Sequence, residues 1–392
     1  MDSRLDKGAV GVPSARSRRV LTVLGRARAM RLLLAMTALS AVIAVPAVAQ
    51  AKTVTVYAGP PPNIGTLVPA SARMSASFKA KYNPDVNAYF PQKVTIHVGD
   101  TVSFIRGMMP HTIDIPPVGG SDLPLIVPGA ALVAGVNDAA GNPFWFDGKV
   151  PSLSLNPLVL APGPTKVSYN GTKRVDSGFY TGNGSAPAFN VTFTKRGVYK
   201  VFCDIHYGMT GTVVVLAKSK PLPSAAQSQA ALKAQALGDL KALKAAAKIK
   251  PAANTVSVGS AGPGGSELFA MFPATLRVKA GTVVTFSMSR QTRETHTVTF
   301  GPPAYLAKLS AGLLSGGPLT QQGLYPSDPP SLGPIVVSPT AHGNGFANLG
   351  GLDEDATTPL PASGKAIFPT PGTYHYACLI HPFMQGTIIV TP

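Results

Sequence analysis

The sequence predicts an all-β protein: two tandem Greek-key β-sandwiches joined by an Ala/Lys-rich helix. Three observations carry that prediction. Short runs rich in β-branched residues alternate polar and apolar along much of the chain, with Gly/Pro turns between them. No alternation of strands with helical patterns appears, which argues against a parallel α/β sheet. Two long stretches repeat one another on either side of a helical segment. The 392 residues include 40 Gly and 38 Pro, rich in turns but below the roughly 25–30% of low-complexity disorder. With 45% hydrophobic residues, each half can bury a core of its own.

Residues 1–49 read as a secretory signal. Arg16, Arg18, Arg19, Arg26, Arg28 and Arg31 precede an apolar run from Leu32 to Val45, and Ala47-Val48-Ala49 supplies the small residues of a cleavage site. The run falls short of the roughly 20 apolar residues that span a bilayer. Met30-Arg31 offers a second start for the signal, and Ser17-Arg18-Arg19 hints at a twin-arginine type. The expectation is an exported protein, periplasmic or otherwise extracytoplasmic, with no integral span after signal removal. Residues 1–49 hold eight Lys/Arg and two Asp, so their loss lowers the net charge from +17 to +11. Residues 218–250, with seven Lys and one Asp, carry +6 of that remainder. No Arg-rich patch with interleaved aromatics accompanies the charge, so a nucleic-acid partner is not expected.

The first sandwich is expected over residues 50–217, the linker over 218–253 and the second sandwich over 254–392. Ala, Lys, Leu and Gln dominate from Ser224 to Lys250, all good helix formers except for the capping Ser224. Pro221 and Pro223 before the helix and Pro251 after it bound it. Leu232, Leu240 and Leu243 make a thin apolar stripe, which predicts a solvated spacer lying partly on one domain. A sharper alternative is a basic surface helix for an acidic partner or anionic lipid.

The repeat is read in four places. Lys93–Phe104 matches Thr275–Phe286, each two alternating strands around a Gly turn. Pro151-Ser152-Leu153 with Pro157–Leu160 parallels Pro330-Ser331-Leu332 with Pro334–Val337. Gly197–Cys203 matches Gly372–Cys378, and Thr210–Val215 matches Gln385–Val390.

Each copy has one Cys in one frame: Cys203-Asp-Ile-His206-Tyr-Gly-Met209 and Cys378-Leu-Ile-His381-Pro-Phe-Met384. Upstream, each has a strand carrying His-Thr, His111-Thr112 and His296-Thr297. One thiolate, two imidazoles and one thioether suit copper in both redox states, and a His2Cys plane with a weak axial Met is a blue-copper arrangement. A strand delivers the Cys, and two residues between successive ligands turn the His and Met back toward it.

On these residues the chain resembles the cupredoxins, with Cys-x2-His-x2-Met loops most similar to the amicyanin and plastocyanin type. The resemblance implies one type 1 copper per domain, held by His111, Cys203, His206 and Met209 and by His296, Cys378, His381 and Met384. It also implies an electron carrier rather than an enzyme, with a redox protein such as a c-type cytochrome or an oxidoreductase as partner. His206 and His381 would be surface electron ports, rimmed by Tyr207 and Met109 and by Pro382 and Phe383. Thr112 and Thr297 stand where many small members have Asn, so the group that hydrogen-bonds the thiolate is open.

Alternatives are a Cys203–Cys378 disulfide, zinc in the same ligands, purely structural cysteines, and an extra copper contact from Met108 or Met109. Copper storage or delivery competes with electron transfer, since two sites on a flexible tether serve it too. A nitrite-reductase or multicopper-oxidase activity needs a further centre built from other His. Only His97, His342 and His375 remain, no His-x-His pair is present, and no His neighbours either Cys. His97 aligns with Lys279 and His375 with Lys200, which predicts solvent-facing positions; His342 sits in a loop without an assigned role. Asp353-Glu354-Asp355 reads as a solvated acidic loop.

Overall fold

The computed structural model describes residues 51–107, 110–180, 185–315 and 317–392. The signal segment and the Met108-Met109 pair lie outside the described residues.

Two β-sandwiches are present, and they correspond strand for strand. In the first half one sheet runs Tyr89–Phe90, Thr53–Ala58, Thr101–Arg106, Phe189–Phe193, Lys166–Tyr169. The other runs Val175–Asp176, Asp114–Ile115, Gly197–Phe202, Thr210–Leu216, Lys93–His97. In the second half the same places are taken by Ser266–Phe272, Thr255–Gly262, Val283–Met288, Ser363–Ile367 and Ile335–Val336 in one sheet. Ala347–Leu352, His296–Phe300, Gly372–Ala377, Gln385–Thr391 and Thr275–Lys279 form the other. Register repeats as well: Val56 lies opposite Phe104 in a parallel pair, and Val256 opposite Phe286. Alternation explains the two cores. Along Thr101–Arg106 and Thr210–Leu216 every second side chain is buried, and the inward sets of both sheets meet in one cluster per half.

One sequence parallel does not hold in space. Pro151–Leu155 is a strand paired with Ile126–Leu132, and Pro157–Leu160 is a short helix. Pro330–Leu332 is a single turn, and Ile335–Val336 occupies the sheet place held in the first half by Lys166–Tyr169. Tertiary packing decides the difference. The 126–155 hairpin leaves its own sandwich and packs Ile126, Phe146 and Leu153 against Leu309, Leu324 and Leu379 of the second half. Gln321 locks it by accepting from Leu153 N–H and donating to Leu153 C=O, both at 2.8 Å.

The flexible tether is also corrected. The helix Ala225–Ala246 starts with the capping box of Ser224 and Gln227, but it is clamped between both halves rather than lying partly on one. Ala236, Ala242, Leu243 and Ala246 are buried, and Leu243 and Ala246 share a cluster with Phe90 and Phe272. Gln235 bonds the backbone of Tyr89 and Gln92, while Ser260 and Ser266 donate to the helix carbonyls of Ala246 and Asp239. One face therefore touches both halves. The short strand Pro84–Val86, from the first half of the sequence, even extends a second-half sheet by pairing with Ser266–Leu268. Residues 50–392 form one compact unit. Among the described residues no helix is long and apolar enough to cross a membrane.

Candidate metal centres

The end of each sandwich brings the same three groups together. In the first half, Gly197–Phe202 delivers Cys203, and Asp114–Ile115, paired with Phe202, holds His111 just upstream. His111 Nδ1 and His206 Nδ1 lie 3.0 Å apart, with Cys203 Sγ at 3.7 and 3.3 Å from them. In the second half, His296 Nδ1 and His381 Nδ1 are 3.1 Å apart, and Cys378 Sγ is 3.8 and 3.9 Å from them. All six side chains are buried. Met209 and Met384 are fully buried in the same clusters as their cysteines. Both cysteines are free thiols, which removes the disulfide alternative.

Backbone bonds fold the loops back. Cys203 N–H donates to Met209 C=O at 3.1 Å and Met209 N–H to His206 C=O at 2.9 Å; the second loop repeats this at 3.0 and 2.8 Å. The threonines answer the question left by the missing Asn. Thr112 N–H points to Cys203 Sγ at 3.4 Å and Thr297 N–H to Cys378 Sγ at 3.3 Å. Each hydroxyl accepts the N–H of the residue after the Cys, Asp204 at 2.8 Å and Leu379 at 2.7 Å. A threonine thus supports the sulfur and ties the two ligand-bearing segments together.

Burial alone would raise both thiols. The His206 and His111 imidazoles outweigh it at Cys203 and bring that thiol well below its ordinary value. At Cys378 the His296 imidazole and the Thr297 and His381 N–H groups also win, and the thiol is lowered. Each triad therefore favours a thiolate, the form that binds metal. Two imidazole nitrogens and one thiolate beside a buried thioether fit a soft or borderline ion, copper above all.

Two glycines complete the cradle, and neither stood out in the sequence. Gly59 directly follows the first strand of the first half and Gly259 sits at a bulge inside the matching strand Thr255–Gly262, both with φ in the left-handed region (+85° and +75°). A Cβ on Gly59 would come within 2.9 Å of His111 Nε2, and one on Gly259 within 3.3 Å of His296 Nε2. Only glycine combines that backbone with so close an approach.

The expected surface ports are not at the surface. His206 is 1% and His381 8% exposed: Glu294 of the second half lies against His206, and Phe269 and Phe383 pack against His381. Glu294, two residues before His296, lies between the rings: Oε1 is 2.9 Å from His206 Nε2 and Oε2 is 3.8 Å from His381 Nε2. It is a long-range neighbour of His206, and its one trace in the sequence is that the matching position of the first copy is Met109. Tyr207 and Phe383 remain exposed at 39% and 53%. Phe383 packs near His381, and Phe269 against both His296 and His381.

The remaining histidines and the acidic run can be placed: His375 is solvent-facing as expected, His97 only partly so, and the acidic run is not solvated. His342 holds a left-handed turn (φ +50°) between Asp138 and Asp328, its ring tilted against Phe144. Its role is structural, at the seam between the hairpin and the second half. His97 is half-buried with its ring on the Lys220 carbonyl, and His375 is exposed beside Thr387. Asp353 and Asp355 are buried rather than solvated, because Thr295 and turn N–H groups satisfy them.

These paired sites can be set beside known proteins. No family model matches the chain, and no curated protein matches it. Among solved structures it is similar to oxidised plastocyanin from Dryopteris crassirhizoma, at 23% identity over 35% of this chain and 99% of that one, TM-score 0.19. It is similar to a mutant amicyanin in the reduced Cu(I) form, at 19% identity over 37% and 89%, TM-score 0.20. A purple cupredoxin from Nitrosopumilus maritimus matches at 15% identity over 35% and 98%, TM-score 0.18. Each likeness spans about a third of the chain, so the functional reading below rests on the site itself.

Proposed function

We propose that this is an exported electron-transfer protein that holds one type 1 copper in each half. His111, Cys203, His206 and Met209 hold the first, and His296, Cys378, His381 and Met384 the second. Copper bound there supplies a one-electron Cu(II)/Cu(I) couple. The observation that carries the reading is the pair of buried triads, each with two Nδ1 atoms and one N–H-supported sulfur converging within 4 Å.

The chain's own groups do three things for such a site. Burial excludes water from the ligands. The Thr112 and Thr297 amides steady the thiolate charge. The doubled backbone bonds within each loop hold the imidazoles in place, so little rearranges when the charge changes. Deep burial of all six ligands supports retention of the metal, and with it a carrier rather than a storage or delivery protein or an enzyme. A redox protein, a c-type cytochrome or an oxidoreductase, would dock where Tyr207 and Phe383 give apolar exposed rims beside the ligand loops.

The test is to load residues 50–392 with copper and record the visible and EPR spectra and the copper-to-chain ratio. An intense thiolate-to-copper band with two coppers per chain is the expected result. About three coppers with an additional non-blue signal would favour a copper oxidoreductase. A colourless protein would end the electron-transfer reading and leave copper storage or a structural role.

A further inference from the structure

The edges of His206 and His381 that would face a partner protein in an isolated domain face each other instead, across one carboxylate. Glu294 sits 2.9 Å from one Nε2 and 3.8 Å from the other, using a different oxygen for each. The segment carrying it is stitched to the first ligand loop, because Tyr207 N–H donates to Arg293 C=O at 3.0 Å. Asn87 adds a donor to Oε1 at 3.4 Å. Both rings and the carboxylate are buried.

We propose that Glu294 is a positioning residue that joins the two candidate copper sites into one coupled centre, with His206, Glu294 and His381 as the route for one electron between the halves. The inference rests on the reading that each triad holds copper. With Nδ1 turned to the metal, each imidazole presents Nε2–H outward, and such an N–H is commonly held by a carboxylate. Here Oε1 is within hydrogen-bond distance of His206 Nε2, while Oε2 faces His381 Nε2 at 3.8 Å, a charge contact rather than a hydrogen bond; an amide would present no charge to either ring.

A negative charge midway between the sites favours the oxidised state of both and screens their mutual repulsion. When the electron crosses, one site loses it and the other gains it. The step moves one electron only; it needs no proton transfer, and no bond forms or breaks.

The test uses single-site proteins to assign each potential: Cys378→Ser leaves the first site and Cys203→Ser the second. Glu294→Gln in each should raise both potentials, by about a tenfold change in the oxidised-to-reduced ratio at fixed potential, or about 59 mV for one electron. A residue that only shapes the first loop would move one potential alone. In the two-copper protein, flash reduction by less than one electron per chain should be followed by redistribution at a rate independent of protein concentration, slowed about tenfold by Glu294→Gln. Glu294→Asp keeps the charge and should restore most of the potential, with thermal unfolding confirming that each variant folds. A shift at one site or neither, or redistribution that scales with protein concentration, overturns the coupling. Loss of the thiolate–copper bands in the wild-type protein overturns the copper reading and the coupling together, whereas intact bands with no common shift overturn the coupling alone.

Discussion

Behind the first triad lie three carboxylates; behind the second, at the same places in the sheet, lie none. Asp114 pairs with Phe202 and Asp176, and Asp204 follows Cys203. The equivalent positions are Thr299, paired with Ala377 and Asn348, and Leu379 after Cys378. The neutral set is saturated: Thr299 donates to Asn348 Oδ1, whose amide donates to three backbone carbonyls. The acidic set is not. Arg174 bonds Asp114, Leu123 N–H bonds Asp204 and Gly178 N–H bonds Asp176, yet Asp114 Oδ1 is buried with no partner. Burial pushes Asp114 up to about 9 and Asp204 to about 7, and raises Asp176 too. The repeated backbone builds the same ligand frame twice, while the residues one layer behind it set opposite electrostatics.

The largest effect tests whether the two frames are independent as binding sites. Cys203→Ser and Cys378→Ser should each reduce the copper ratio from two to one, read by metal analysis and by loss of one thiolate band. Retention of two coppers in either variant would break the equivalence of the triads.

The next test turns on charge. Raised carboxylates bind protons in the folded state that the unfolded chain has released, so their stability contribution is full below about pH 4. It is lost as pH rises toward 9. Metal-free wild type should therefore lose on the order of a few kcal/mol relative to Asp114→Asn between pH 5 and pH 9, by thermal or urea unfolding. Thr299→Asp should create the same slope in the second half. Parallel pH profiles for all three proteins would show that the acidic layer is neutralised some other way.

The glycines sharpen the comparison further. Gly59→Ala meets His111 more closely than Gly259→Ala meets His296, 2.9 against 3.3 Å, and both strain a left-handed backbone. Each should cost about 1–3 kcal/mol of stability, the first more than the second, with weaker copper retention in the affected half.

The smallest effect concerns tuning. At pH 8 and above, where Asp204 is ionised, Asp204→Leu should raise the first site's potential, and Leu379→Asp, once ionised, should lower the second's, by roughly 1 kcal/mol each, since a nearby negative charge favours the oxidised state. Redox titration showing one shared potential in the wild type, unmoved by either change, would remove the contrast between the halves.

How much of this was legible in the sequence follows from how local each feature is. The alternating strands, the Ser224 cap and the Cys-x2-His-x2-Met loops depend on near neighbours, and they were read directly. The upstream His111 and His296 were legible because the chain carries the frame twice. The Pro151 and Pro330 parallel misled because short Pro-Ser-Leu runs satisfy both a strand and a turn, and the hairpin's packing on the second half decided between them. The acidic layer was hidden because Asp114, Asp176 and Asp204 are far apart in the chain and meet only through strand pairing.

The sequence by itself determined the strands of the two sandwiches, the helix between them and the Cys, His and Met that each loop brings together, because periodicity, turn residues and short spacings act over a few residues. Only the tertiary structure decided that the helix clamps, that His206 and His381 are buried, and that Glu294 stands between them. Those outcomes depend on which surfaces the two halves bury against each other. Contacts such as His206 with Glu294, 88 positions apart, leave no periodic trace in the chain.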